Sequence, residues 1–280
     1  MAVKIRVNAK INLTLDVKGR LDNGYHEIDT IMQSISLYDE LSFDFSGDEI
    51  SVKSDKKLSD NIVNKAIEFY LATAGITTGV KCEIIKNIPL SSGLGGGSAD
   101  AAGTLIALNY YFNNLLSNDQ LINLAKELGA DVPFFLVGGT LRAQGIGEVL
   151  TPANLTEKYH CLIIKCGFKP GTKEMYNKID RISNFSSNST GELFNSLNES
   201  GKINLVHNDF LCVQKSPKIK TLISELCSSD FAGLSGSGPC VFALYKSFDK
   251  ANTDYLKYKN RFDDVYLCTT EKKSFVITSE

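Results

Sequence analysis

From Val3 to Val17 the apolar residues occupy odd positions: Val3, Ile5, Val7, Ala9, Ile11, Leu13, Leu15 and Val17. The polar ones occupy even positions: Lys4, Arg6, Asn8, Lys10, Asn12, Thr14 and Asp16. Successive side chains of a strand point to opposite faces, so this period of two commits the segment to a β-strand with one buried face. The run is long for a single strand, which predicts a bend or bulge within it. Asp22-Asn23-Gly24 supplies a turn, and residues 28–45 read as further strand with interruptions.

The spacing of Ile62, Ala66, Phe69 and Tyr70 predicts a helix over 60–74, capped by Asp60 or Ser59. A short strand over 80–86 follows, then helices over 98–112 and 119–128, the second ending at Gly129 in the manner of a C-cap. Residues 133–137 are apolar, and Gly138-Gly139 leads into a strand near 140–143. Composition shifts after Val149, which places a domain boundary near 150 and divides the chain into 1–150 and 151–280. Residues 183–200, rich in Ser and Asn, are expected to form loop with a short helix. Helices are expected near 205–214 and 217–228, a glycine turn at 233–238, a strand over 240–245, and then helix, strand and strand.

A net charge of −2 without a dense Lys/Arg run gives no electrostatic footprint for nucleic acid. The opening residues interleave charged with apolar side chains, unlike a signal peptide or a membrane span. Seven cysteines are scattered without a CxxC pair, and with three histidines they offer no metal-site spacing. Buried free thiols in a cytoplasmic protein with no membrane partner are the expectation.

The segment Pro89-Leu90-Ser91-Ser92-Gly93-Leu94-Gly95-Gly96-Gly97-Ser98-Ala99 precedes the helix expected over 98–112. Consecutive glycines let backbone N–H groups converge, and the helix start adds the positive end of its dipole. That is an anion site suited to phosphate. No Lys follows the glycines, so this is not a Walker A loop, and the third glycine of a dinucleotide fingerprint is replaced by Ser98. A second helix follows where that fingerprint requires a strand with an acidic tip.

This loop resembles the ATP-phosphate loop of the GHMP kinase superfamily. Two further blocks agree: residues 8–14, Asn-Ala-Lys-Ile-Asn-Leu-Thr, and residues 234–240, Leu-Ser-Gly-Ser-Gly-Pro-Cys. Within the superfamily, AKINLTLDVKGRLDNGYHEIDT and GADVPFFLVGGTLRAQGIGE resemble the 4-diphosphocytidyl-2-C-methyl-D-erythritol kinase family. The resemblance implies an α+β, two-domain GHMP kinase fold, with a ribosomal protein S5 domain 2-like N-terminal domain, a ferredoxin-like C-terminal domain and the active site in the cleft between them. It implies ATP and CDP-methylerythritol as small-molecule partners, Mg²⁺ accompanying the nucleotide with no assignable protein ligand, and a monomer or weak homodimer.

The same resemblance implies site residues. Asp131, which read locally is an N-cap, becomes the catalytic aspartate that accepts the proton of the substrate hydroxyl. An ordinary aspartate, pKa about 3.9, is a weak base for an alcohol, but in a loose phosphoryl-transfer transition state positioning counts for more. Lys10, which read locally lies on a solvated strand face, becomes the group that stabilises the transferring phosphoryl and orients Asp131. Asn12 would hold the substrate. Tyr25 would stack on cytosine and His26 would hydrogen-bond its edge, with Tyr176 or, less well placed, Phe168 as the second aromatic. Asn61 lies near the adenine or caps a helix; Ser98 and Thr172 contact phosphates; Gly236 and Gly238 shape the cleft. Asn208-Asp209 resembles a family motif, with Phe210 and Leu211 packing. Two rival readings remain: another GHMP kinase acting on homoserine or a mevalonate derivative, and a catalytically silent binding protein of this fold.

Overall fold

The structure, a computed structural model, describes residues 2–57, 62–167, 171–182 and 188–278. The expectations placed on Ser59, Asp60, Asn61, Phe168 and residues 183–187 lie outside these residues.

The alternating segment is β1 (Ala2–Arg20), paired antiparallel with β2 (His26–Asp44) across the Asp22-Asn23-Gly24 turn. The expected irregularities are register shifts at Asn8/Ala9, Asn12/Thr14 and Val17/Gly19. Extra residues of this kind bend the strand and re-aim side chains, and the first two shifts flank Lys10 and Asn12. β2 is one continuous strand, and the interruption expected of it is the step at Ser36-Leu37, which fall between the partners of Asn8 and Ala9.

β3 (Ile50–Ser54), α1 (Ile62–Ala74) and β4 (Val80–Ile85) form a unit in which β3 runs parallel to β4. β4 pairs with residues 40–44 of β2. α2 (Gly96–Tyr111), α3 (Asn118–Leu128) and α4 (Val132–Val137) follow. α3 stops at Gly129 as expected, but that glycine is extended (φ 167°) rather than a left-handed C-cap. β5 (Thr140–Gly145) pairs with residues 28–33 of β2, and β6 (Val149–Pro152) pairs with β5.

β7 (His160–Lys165), α5 (Thr172–Ile179) and α6 (Ser189–Ser200) come next, α6 being longer than the short helix expected there. β8 (His207–Asn208) and α7 (Phe210–Val213) replace most of the helix expected over 205–214. His207 and Asn208 are drawn into extended pairing with Thr14 and Leu15 of β1, so the helix begins only after Asp209. α8 (Pro217–Glu225), β9 (Phe231–Leu234), β10 (Cys240–Tyr245), α9 (Phe248–Lys259), β11 (Val265–Thr269) and β12 (Phe275–Ile277) complete the chain. The second sheet, ordered β11-β7-β10-β9, is antiparallel throughout, while β8 and β12 both join β1 in the first sheet. Among the described residues no helix is long and apolar enough to cross a membrane.

Val3, Ile5, Val7, Ala9, Ile11 and Leu13 project from β1 into the larger of two cores, shared with α1, α2 and α4. Burying such a side chain contributes roughly 1.5–3 kcal/mol, so this face fixes the register of β1. Leu15 and Val17 enter the second core instead, with Leu162 and Ile164 of β7 and the side chains of α8 and α9. Five cysteines are buried, as expected, but Cys212 and Cys227 are exposed, between or beyond the apolar residues that α7 and α8 turn inward.

The polar face of β1 departs from the local reading. Lys10, Asn12, Thr14 and Asp16 are buried, not solvated. Thr190 of α6 covers the last two: its N–H donates to Asp16 Oδ2 (3.0 Å), and its hydroxyl lies 3.0 Å from Thr14 Oγ1 and 2.9 Å from the Asp29 carbonyl. Replacing Thr190 with the near-isosteric Val keeps the packing and the N–H bond to Asp16 but removes both hydroxyl contacts, to Thr14 Oγ1 and the Asp29 carbonyl, so Thr190→Val should lower stability by about 1–3 kcal/mol in urea unfolding. A loss no larger than that of a surface substitution would show that α6 is held by packing alone.

Candidate active site

The glycine segment docks on β1 through its backbone: Lys10 N–H donates to the Leu94 carbonyl at 3.0 Å. α2 begins at Gly96, with Gly95 in the left-handed region (φ 75°) at its N-cap. A side chain on Gly95 would strain that backbone and would lie 2.6 Å from the Phe135 ring. Gly93 faces the second glycine turn so closely that a Cβ would meet the Ser235 carbonyl oxygen at 2.2 Å. The two turns are tied by Ser235 Oγ donating to the Gly93 carbonyl (2.9 Å) and Cys240 N–H to that of Ser92 (3.1 Å).

A cleft of about 1020 Å³ opens beside this junction. Residues 89–93 and 95–98 line it, with Lys10, Asn12, Tyr25, His26, Asp131, Thr172 and Tyr176. Leu94 and Ala99 are buried behind it. The structure therefore brings the sequence-derived site residues among the described residues to one place. From the second glycine turn, Gly236 and Ser237 line the cleft.

Lys10 Nζ lies 3.4 Å from Asp131 Oδ2 and donates to Asn12 Oδ1 at 2.6 Å. Asn12 Oδ1 also accepts from Gly236 N–H (2.9 Å), and its Nδ2 donates to Thr30 Oγ1 (2.8 Å). Both acceptor lone pairs are then engaged, which leaves one amide N–H for a ligand. Asn12 is foremost the brace that aims Lys10. Asn208 braces the same turn, donating to the carbonyls of Leu234 (2.8 Å) and Gly236 (2.9 Å). Asp131 stands at the N-terminus of α4 in right-handed conformation and makes no side-chain capping bond. Its local reading as a cap therefore gives way to its pairing with Lys10.

At the other end of the cleft, Tyr25 N–H donates to Asn23 Oδ1 (3.0 Å) and Leu21 N–H to the Tyr25 carbonyl (2.8 Å). The turn is closed on itself and holds Tyr25 outward, 60% exposed. His26 stacks on Tyr176 with ring centroids 4.4 Å apart and planes 18° from parallel. Phe210 meets Tyr176 edge-on at 5.0 Å, which gives Phe210 its expected packing role. Burial, with the Asp131 carboxylate nearby, raises the Tyr176 phenol well above its usual range and keeps it neutral.

Two clusters escaped the sequence reading. Lys86, on the cleft wall, donates to Asp100 Oδ2 (2.5 Å) and to Asp39, whose other oxygen accepts from the N–H groups of Asn87 (2.6 Å) and Ile88 (2.8 Å). This trio anchors the approach to the glycine segment to α2. Burial is the largest influence on the Asp100 carboxyl and pushes it up to about 8, against the pull of Lys86. Asp100 Oδ1 is the buried side-chain polar atom left without a partner among the described residues. A carboxylate set among the alanines of α2 was the available signal. The second cluster, Asp16, His207 and Asp209, brings its ligand atoms within 4.8 Å of one another, but none of the three lines the cleft. Its oxygens serve structure: Asp209 Oδ2 accepts from Val17 N–H (2.7 Å) and Oδ1 pairs with His207 Nε2 (2.8 Å), which raises His207 above its ordinary value.

Family models for the GHMP kinases N terminal domain and the GHMP kinases C terminal match residues 61–139 and 182–264. A 4-diphosphocytidyl-2-C-methyl-D-erythritol kinase of Clostridium kluyveri is 35% identical over 277 residues, covering 95% of this chain and 99% of the relative. A crystal structure of a 4-(cytidine 5'-diphospho)-2C-methyl-D-erythritol kinase superposes with a TM-score of 0.81 at 28% identity, covering 95% of this chain and 98% of the other. A homoserine kinase from Cytophaga hutchinsonii shares the fold, with a TM-score of 0.71 at 22% identity over 99% of this chain and 97% of that one.

The raised Asp100 carboxyl has a consequence for stability. Its folded-state value exceeds the unfolded one (about 3.9), so its contribution is complete below pH 4 and is lost as pH rises toward 8. Asp100→Asn removes this titration. Between pH 5 and pH 9 the wild type should therefore lose stability relative to Asp100→Asn, with a slope of at most about 1.4 kcal/mol per unit, in parallel urea titrations. A constant difference across that range would place the carboxyl at its ordinary value.

Proposed function

The chain belongs to the GHMP kinases, within the 4-diphosphocytidyl-2-C-methyl-D-erythritol kinase family, and we propose that it transfers the γ-phosphoryl of ATP to the 2-hydroxyl of 4-diphosphocytidyl-2-C-methyl-D-erythritol. It is an ATP-dependent small-molecule kinase of the methylerythritol-phosphate route to isoprenoid precursors. The observation that carries the reading is the Lys10–Asp131 pair, held at the foot of the glycine segment and in one cleft with Tyr25, His26 and Tyr176.

In this proposal residues 89–99 hold the phosphates of ATP. The backbone is free to approach an anion where Gly95 and Gly96 lead into α2, and the helix start directs N–H groups at it. Asp131 accepts the proton of the attacking hydroxyl, which leaves late in a loose transition state. Lys10, buried and braced by Asn12, offsets charge on the phosphoryl oxygens without moving to do so. Mg²⁺ is proposed to arrive on the nucleotide, where it neutralises β- and γ-oxygens; the donor set lining the cleft offers no carboxylate cluster for it among the described residues. Ser98 and Thr172 are proposed phosphate contacts, and the chain is proposed to act in the cytoplasm as a monomer or weak homodimer.

The base end favours a cytidyl substrate over homoserine or mevalonate. Those acceptors carry no base, whereas Tyr25 and the His26–Tyr176 stack present aromatic surface to the cleft. Stacking a base contributes about 1–3 kcal/mol. A turnover assay with the cytidyl substrate, homoserine and mevalonate tests the assignment; a preference for either baseless acceptor overturns it. Asp131→Asn should retain ATP binding and lose about 10²–10⁴ in kcat, and near-normal turnover would remove Asp131 from the chemistry. Tyr25→Ala should raise KM for the cytidyl substrate roughly tenfold or more while leaving that for ATP unchanged. An unchanged KM would sink the stacking role.

A further inference from the structure

His26 is held from both sides. Tyr176 stacks on one face of its ring, and Asp180 Oδ1 lies 2.6 Å from its Nε2. Asp180 follows α5 directly, so the contact joins the start of β2 to a helix 154 residues further along the chain. Arg20 Nη1 lies 3.5 Å from the other oxygen, Asp180 Oδ2, and holds the carboxylate turned toward the ring. The His26 side chain is only 6% exposed, which makes the 2.6 Å contact a charge-assisted bond shielded from water.

A carboxylate can only accept. Nε2 must therefore carry a hydrogen, and in the neutral ring the other nitrogen, Nδ1, is then a bare acceptor. Among the described residues Nδ1 has no hydrogen-bond partner, and it is not among the fully enclosed unpaired atoms, so a ligand can reach it. Both His26 and Tyr25 line the cleft.

We propose that Asp180 is a specificity-determining positioning residue. It fixes His26 as the Nε2–H tautomer, so that Nδ1 accepts from the exocyclic amine of the substrate's base. This rests on the cytidyl reading given above and deepens it. With the base clamped by stacking, an amine at that position donates to Nδ1, while the oxo group of uracil sets lone pair against lone pair. The site therefore selects cytidyl over uridyl substrates through a residue that touches neither.

The test has two arms. In protein labelled with ¹⁵N-histidine, the three histidines give resolvable ring signals, and His26 is assigned by its loss in His26→Asn. The free wild type should show the Nε2–H tautomer at His26, and Asp180→Asn should shift it toward Nδ1–H. A wild-type Nδ1–H or doubly protonated ring, or no change on substitution, overturns the proposal. In steady-state assays Asp180→Asn should raise KM for the cytidyl substrate roughly tenfold, the worth of one charge-assisted hydrogen bond, with kcat and the KM for ATP nearly unchanged. The cytidyl-over-uridyl preference should fall by a similar factor, and Asp180→Glu should restore part of it. An unchanged preference also overturns the proposal. If the wild type fails to phosphorylate the cytidyl substrate at all, the functional reading falls, and the tautomer measurement alone decides the Asp180–His26 link.

Discussion

Burying a lysine, an asparagine, a threonine and an aspartate in a row on one strand is costly unless each finds a partner, because an unpaired buried polar group forfeits its hydration. In β1 these are Lys10, Asn12, Thr14 and Asp16, and their partners come from far along the chain. Asp131 and Gly236 serve Lys10 and Asn12, and Thr190 serves Thr14 and Asp16. The cleft exists where that row meets the glycine segment. Remove the partners and the strand has no reason to bury its second face.

This arrangement explains why the two glycine turns touch. The first must approach β1 closely enough for Leu94 to accept from Lys10 N–H, and the second must reach Asn12 Oδ1 with the N–H of Gly236. Both conditions bring Gly93 against Ser235, where no side chain fits. Asn208, whose amide spans the carbonyls of Leu234 and Gly236, fixes the second turn from behind. Glycine segment, ammonium and second turn thus form one hydrogen-bonded body, and preorganisation of that kind is what electrostatic catalysis requires.

Much of this was legible in the sequence, but unevenly. β1 followed from period two, because one face meets a core, and its bulges from a length unusual for one strand. β7 left no such trace: Cys161 and Ile163 enter one core while Leu162 and Ile164 enter the other, so both faces are apolar and the alternation vanishes. Residues 205–214 looked helical because nothing local announces that His207 and Asn208 will pair with Thr14 and Leu15. For the same reason Lys10 and Asn12 read locally as a solvated face; their burial depends on residues more than a hundred positions away. The family motifs brought those residues into the reading, whereas periodicity could not. Lys86, Asp39 and Asp100 went unnoticed because each alone is an ordinary charged residue, and their meaning lies in their meeting.

Asp131 shows how a local context frees a side chain for the proposed chemistry. An aspartate at a helix start ordinarily spends its carboxylate on the backbone N–H groups of the first turn. Here the helix that follows is a single short element of six residues, and Pro133 removes one of the donors that would compete. Asp131 itself is in right-handed conformation rather than the extended one that aims a cap side chain back at the helix. Its carboxylate is left to Lys10, on the open side of the cleft, about a third exposed where a hydroxyl can reach it. The features that disqualify Asp131 as a cap are the ones that leave it available as a base.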